Sequence, residues 1–179
     1  MAMVVRANQV PDDNIGGHIS TYASAATLLE VLKAQAILRD RGVAADVWSV
    51  TSYQELYREA HEVERWNRHH PTEPPRTPYV ARCLGQTDGV IVASSDYVKA
   101  LPDLVGRWLP SRFTSLGTDG FGRSESRSSL RDFFEVDAKA IVLATLSALG
   151  STDDLPHTVP QEAIKDLGID PERENPATA

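Results

Sequence analysis

A single cysteine, Cys83, occurs in the 179-residue chain, so no disulfide can form within it. This excludes the small secreted scaffolds that disulfides hold together, and a lone thiol suits a reducing compartment. No apolar run approaches the roughly 20 residues that a membrane-spanning helix needs. The first residues, MAMVVRANQVPDDN, also lack the apolar core of a signal peptide. We therefore expect a cytoplasmic protein that has no membrane partner.

Basic residues are scarce as well, because 18 lysines and arginines stand against 25 aspartates and glutamates, which gives a net charge of -7. Proteins that hold nucleic acid through its phosphates have the opposite balance, so we expect no nucleic-acid partner. The five histidines and one cysteine show no zinc-ligand spacing, and the sequence predicts no metal ligands. The hydrophobic content of 41% is that of an ordinary globular domain.

Residues 112–137, RFTSLGTDGFGRSESRSSLRDFFEVD, contain most of the candidate functional residues. A strand is predicted to end at Leu116, and a glycine-rich turn follows it. The turn contains residues that permit unusual backbone angles or hold turns by hydrogen bonds: Gly117, Asp119, Gly120 and Gly122. Their spacing, G-x-x-G-x-G, is the reverse of the dinucleotide-binding fingerprint and does not support that motif.

Three arginines, Arg123, Arg127 and Arg131, recur at every fourth residue after the turn. This spacing predicts one face of a helix over 124–135 that Ser124 caps. Guanidinium groups beside such a turn are a candidate contact for an anion or a carboxylate. The alternative is a tight turn, held by an Asp119–Arg123 pair, followed by a solvated basic surface.

Predicted helices and strands alternate along the chain. Helices are predicted over 22–41, after a cap at Ser52, from a start near Pro102, over 138–149 after a cap at Asp137, and from a capping box at Thr158. Strands are predicted at 45–50, at 90–93 and in a segment that ends at Leu116. This alternation predicts an α/β fold of three layers with a mostly parallel sheet.

The run LGTDGFGRSESRSSLRDFFEVDA resembles the C-terminal domain of the homodimeric bacterial pyruvate dehydrogenase decarboxylase component. Residues 43–84 and the closing GIDPERENP are similar to other parts of the same domain. The resemblance implies a transketolase C-terminal-domain-like fold. The first residues, AMVVRAN and GGHISTYASAATL, resemble instead the start of the thiamine-binding domain of that enzyme.

Together the two resemblances imply an internally deleted enzyme whose join lies between Ala25 and Val31. They divide the chain into an N-terminal arm (1–27), a transketolase C-terminal-like domain (28–170) and a frayed tail (171–179). Because 1–20 has no strong strand pattern, we expect these residues to be poorly ordered. We also expect self-association to cover the sheet edges that a missing strand leaves unpaired.

In the full-length family, the resemblance implies oxidative decarboxylation of pyruvate on thiamine diphosphate and magnesium, with transfer of the acetyl group to lipoamide. Thr118-Asp119-Gly120 lacks the first glycine of the family's diphosphate motif. His18 matches an active-centre histidine of the family and is the catalytic candidate; the alternative is an exposed loop histidine.

We therefore expect this chain alone to bind no cofactor and to be a non-catalytic structural domain. The alternative is a module that docks on full-length pyruvate dehydrogenase subunits or on their acyltransferase partner.

Overall fold

The structure, a computed structural model, describes the backbone of residues 2–9 and all atoms of 27–85, 89–109, 112–151 and 154–179. Within these ranges the strands are β1 (Ala2–Gln9), β2 (Val43–Val50), β3 (Val90–Ser95) and β4 (Phe113–Leu116). The helices are α1 (Leu28–Asp40), α2 (Tyr53–His69), α3 (Tyr79–Leu84), α4 (Ala100–Gly106), α5 (Arg127–Phe133), α6 (Ala138–Gly150) and α7 (Thr158–Asp166).

The strands form one sheet in the order β2-β1-β3-β4. β3 and β4 are parallel, and β1 is antiparallel to both of its neighbours. β2, β3 and β4 therefore run in the same direction, and β1 runs in the opposite direction between β2 and β3. The α/β class and the transketolase C-terminal-like fold are confirmed.

β1 lies in the interior of the sheet, between β2 and β3. The sequence instead predicted a poorly ordered arm for these residues. Its eight residues all pair with β2, Ala2 lying opposite Val50, and residues 2–7 also pair with β3. Disorder is therefore the wrong prediction for Ala2–Gln9, while residues 10–20 lie outside the described ranges. Because Arg6, Asn8 and Gln9 are polar, the sequence pattern does not indicate a strand here. Backbone hydrogen bonds on both sides stabilise β1 independently of its side chains.

Helices cover both faces of the sheet and make it the middle of three layers. On one face, α1 and α6 pack on the sheet through a cluster that includes Val31, Leu38, Ile141 and Leu146. On the other face, α2, α3 and α4 enclose a second cluster of buried side chains: Val50, Tyr53, Val80, Leu84, Ile91, Ala93, Val105 and Leu109. β3 contributes alternate residues to the two clusters, which explains its continuous apolar sequence.

Two predicted helix caps are confirmed by their hydrogen bonds. The Glu55 amide donates to Ser52 Oγ over 3.2 Å at the start of α2. The Ala140 amide donates to Asp137 Oδ1 over 2.9 Å at the start of α6. Each side chain satisfies a backbone donor that has no partner inside its helix.

Two other predicted caps are wrong. α5 begins later than predicted, and its cap is Ser126, whose Oγ accepts from the Ser129 amide over 3.2 Å; Ser124 lies before the helix. Several serines compete for the position, and spacing alone does not separate them. Thr158 is the first residue of α7 rather than its cap, and the preceding His157 makes no capping bond.

The C-terminal residues 171–179, expected to fray, pack on the domain instead. Pro176 is buried, and the Arg173 guanidinium lies 3.6 Å from Asp132 and 3.7 Å from Glu135 at the end of α5. Two carboxylates from a distant part of the chain thus hold the tail.

Candidate functional site

The turns that follow β3 and β4 lie side by side, because parallel strands end at the same edge of a sheet. Ligand sites of open α/β sheets lie at this edge. Gly117 fits between the turns: a β-carbon there would lie 2.5 Å from the Tyr97 carbonyl oxygen and 2.9 Å from the Lys99 amide. The Thr118 amide donates to the same Tyr97 oxygen over 3.0 Å. The glycine is therefore needed for the two turns to meet.

Asp119 joins the same two turns. Its Oδ1 accepts from the Lys99 amide over 2.9 Å, and its Oδ2 lies 4.0 Å from Lys99 Nζ. The expected Asp119–Arg123 pair is wrong, since the Arg123 guanidinium instead lies 4.0 Å above the centre of the Phe133 ring. A backbone donor at fixed distance outcompetes a long exposed side chain for this carboxylate.

Gly120 and Gly122 differ in what the fold requires of them. Gly120 has φ of 101°, and a β-carbon there would lie 2.4 Å from the Pro176 carbonyl oxygen. The docked tail and the backbone angle both exclude a side chain at this position. A β-carbon at Gly122 would meet nothing within 4 Å.

Beyond the turn lies a cavity of about 660 Å³, which we call the arginine cleft. Its lining comprises Thr27, Asp96, Thr118, Gly120, Gly122, Arg123, Arg127, Leu130, Arg131, Phe134 and Val136. Of the residues proposed from the sequence, Gly120, Gly122, Arg123 and Arg127 meet here. Gly117 and Asp119 are absent from the lining and shape the turn behind it. His18 lies outside the described residues.

The three arginines do not share one environment. Arg131 has a side chain only 20% exposed, and its Nη1 lies 3.1 Å from Glu30 Oε1. Arg123 and Arg127 are exposed. The prediction of one uniform basic stripe is therefore wrong for Arg131, which belongs to a partly buried ion pair.

Glu30 is the site residue that the sequence interpretation missed. It is 8% exposed and accepts from Lys33 Nζ over 2.9 Å, from Arg131 over 3.1 Å and from the Ala138 amide over 3.2 Å. The sequence did contain a signal, since Glu30 is a lone acidic residue beside Val31 on an apolar helix face. A buried charge needs partners, so this position indicated an ion pair or hydrogen bonds.

The pKa of Glu30 follows from these contacts. Burial alone raises it, but hydrogen bonds from Lys33 and the Ala138 amide, with the charges of Lys33 and Arg131, more than offset burial. The pKa of Glu30 is therefore held below its ordinary value of 4.5. Glu30 stays ionised and holds the Arg131 guanidinium at the cleft.

Two other kinds of site find no support in the described ranges. These residues contain no group of three or more histidines, cysteines, aspartates or glutamates placed to hold a metal ion. None of the helices described is both long enough and apolar enough to traverse a bilayer.

Comparison with known proteins identifies similar sequences. The profile of the transketolase-like TK C-terminal domain matches residues 13–137. The pyruvate dehydrogenase E1 component of Pseudomonas aeruginosa is 49% identical over 161 residues, which cover 89% of this chain and 18% of that protein. The E1 component of Escherichia coli K12 is 42% identical over 165 residues, covering 91% and 18%. That of Mycobacterium tuberculosis is 40% identical over 137 residues, covering 76% and 15%. The chain thus spans less than a fifth of the length of these relatives.

We predict that the three arginines contribute unequally to stability. Arg131→Ala removes a charged hydrogen-bond donor from Glu30 and should lower the free energy of unfolding by about 2 kcal/mol. Arg127→Ala, at an exposed position, should change it by less than about 0.5 kcal/mol. Urea denaturation measures both, and equal losses in the two variants would contradict the assignment of Arg131 to a buried pair.

We predict that Gly120→Ala loosens the tail. The substitution strains the backbone and collides with Pro176, so it should cost about 1–3 kcal/mol. Limited proteolysis should then cleave within 171–179 faster than in the unaltered protein. Gly122→Ala is the matched control and should alter neither property; a stable, protease-resistant Gly120→Ala variant would refute the docked tail.

We predict a specific pH dependence for Glu30. Because its pKa is lower in the folded chain than in the unfolded chain, its charge stabilises the fold above pH 4.5, and this contribution disappears as pH falls through the folded pKa. Glu30→Gln should therefore be less stable than the unaltered protein at pH 7, with the difference shrinking below pH 4.5. Denaturation curves at several pH values test this, and a difference that does not vary with pH would count against it.

Proposed function

We propose a structural, non-catalytic role for this chain, which belongs to the family of transketolase-like TK C-terminal domains. It is homologous to the C-terminal part of pyruvate dehydrogenase E1 components. In this proposal the chain is an internally deleted form of such a component. The full-length family converts pyruvate with thiamine diphosphate and magnesium and acetylates lipoamide, and the chain retains the domain without that chemistry.

The observation that carries the proposal is the position of β1. Ala2–Gln9 pairs with β2 on one side and β3 on the other, and so joins the two halves of the sheet. With helices over both faces, the described residues supply the domain's own strands and its own buried clusters. Such a domain can fold and persist without the rest of an enzyme.

Among the described residues, the element closest to the family's diphosphate motif does not suit the magnesium and diphosphate of the cofactor. Asp119 is the aspartate in the element closest to the family's diphosphate motif, yet its carboxylate already accepts from the Lys99 amide. The Lys99 ammonium lies 4.0 Å from the other oxygen and would repel a divalent cation. A catalytic role for His18 rests on the sequence resemblance alone.

A second candidate function is docking on a partner protein, and exposed apolar residues favour it. Phe121 is 87% exposed and Tyr97 is 62% exposed, and both lie in the paired turns beside the arginine cleft. Val98 is exposed next to Tyr97. Aromatic residues and arginines dominate the binding energy of protein interfaces. The partner in this proposal is a full-length E1 subunit, with the acyltransferase component as the alternative and self-association as a third arrangement.

We predict that the isolated chain does not bind thiamine diphosphate. Calorimetric titration with the cofactor and magnesium at millimolar concentration should give only heats of dilution. A full-length E1 component titrated under the same conditions is the positive control. A saturable isotherm that requires magnesium would overturn the non-catalytic assignment.

We predict that docking on the full-length E1 subunit depends on the exposed aromatic residues at the paired turns. The chain should co-sediment with the full-length P. aeruginosa E1 component, and the double variant Tyr97→Ser, Phe121→Ser should lose this association. Tyr79→Ser removes a comparably exposed tyrosine from α3 and serves as the control. If the chain associates with neither the E1 component nor the acyltransferase component, the docking role is eliminated and the structural role remains.

A further inference from the structure

We infer that the arginine cleft binds a small organic anion, one that carries a carboxylate or phosphate on an apolar body. The inference combines exposed guanidiniums at Arg123 and Arg127 with an apolar floor in one cavity of about 660 Å³. It goes beyond the proposed function and does not depend on it, because a structural domain and a docking module can each carry such a site.

The charge of the cleft is opposite to that of the chain. The whole sequence has a net charge of -7, whereas three arginines and a single aspartate, Asp96, provide the formal charges of the lining. Glu30, which is not part of the lining, pairs with Arg131, and Asp96 formally offsets one further guanidinium. Arg123 and Arg127 therefore leave the cleft with a formal excess of one positive charge. A local positive cleft on an acidic surface attracts small anions from solution.

Two of the three guanidinium groups are held in place before a ligand arrives. Arg131 is fixed by Glu30 over 3.1 Å, and Arg123 stacks at 4.0 Å from the Phe133 ring centre. Stacking uses the face of a guanidinium and leaves its in-plane N–H donors available for an acceptor. Arg123 thus offers a planar donor at a fixed position, and the exposed Arg127 lies in the same lining. Guanidiniums suit the oxygens of a carboxylate or phosphate, which accept paired hydrogen bonds.

The apolar floor of the cleft determines what the ligand carries besides its anionic group. Leu130, Phe134 and Val136 line it, and the side chains of Phe134 and Val136 are buried in the domain. An inorganic anion would contact only the arginines and leave this apolar surface in contact with water. The cavity volume lies in the range of ordinary small-molecule sites, so a ring or a short hydrocarbon fits beside the anionic group.

The test uses four probes that separate charge from apolar contact: phenyl phosphate, benzoate, inorganic phosphate and the neutral benzamide. Binding is followed by amide chemical-shift changes in the full chain at millimolar probe concentration. We expect saturable shifts around 120–136 with phenyl phosphate, benzoate or both, and the tighter of the two identifies phosphate or carboxylate as the anionic group. Inorganic phosphate and benzamide should bind at least about tenfold more weakly.

Variants localise the binding. Arg127→Ala and Arg123→Ala should each weaken the tighter probe by about tenfold, equivalent to one lost charged contact. Arg58→Ala, which removes an exposed arginine paired with Glu55 on α2, should leave binding unchanged. The inference is overturned if neither aromatic anion binds, if benzamide or inorganic phosphate binds as well as they do, or if Arg58→Ala weakens binding equally.

Discussion

The sheet depends on one strand that joins two others which are not paired with each other. β2 and β3 run in the same direction, and β1 lies between them and pairs with both. Without β1, the facing backbone groups of β2 and β3 would be left without partners under two layers of helices. Each such buried group costs about 1–3 kcal/mol, and the net stability of a domain is only about 5–15 kcal/mol. Continuity of the sheet therefore rests on Ala2–Gln9.

The second connection is Glu30, which links the fold to the cleft. From the first turn of α1 it receives hydrogen bonds from Arg131 on α5 and from the amide of Ala138 at the start of α6. Buried ion pairs contribute little net stability, but losing one partner leaves a costly charge. The pair therefore fixes where α5 lies against α1, and with it the side of the cleft that Arg131 forms.

Local signals in the sequence predicted the parts of the fold that local physics determines. The apolar run of β3, the caps at Ser52 and Asp137 and the strand that ends at Leu116 are all where the pattern indicated. Each depends on residues within a few positions of one another. The α/β class follows from the order of these elements, and the sequence also indicated that Arg123 and Arg127 lie near Gly120.

Contacts between distant residues escaped prediction. Glu30 and Arg131 are 101 positions apart, and no spacing rule pairs them. Arg173 docks the tail on carboxylates that the sequence offers no reason to prefer. The strand β1 lacks an alternating pattern, and its place is set by the backbone pairing that β2 and β3 provide. The same non-local contacts decide that Arg131 is held in an ion pair, while Arg123 and Arg127 are exposed at the cleft.

The central claim is that Ala2–Gln9 is an integral strand of a self-contained domain. Amide hydrogen exchange of the full chain, resolved by residue, tests this most directly. The amides of β1 that point toward β2 and β3 should exchange as slowly as those of β3 itself, through the same unfolding event. Exchange of Ala2–Gln9 at the rate of an unstructured peptide, while β3 stays protected, would contradict the account.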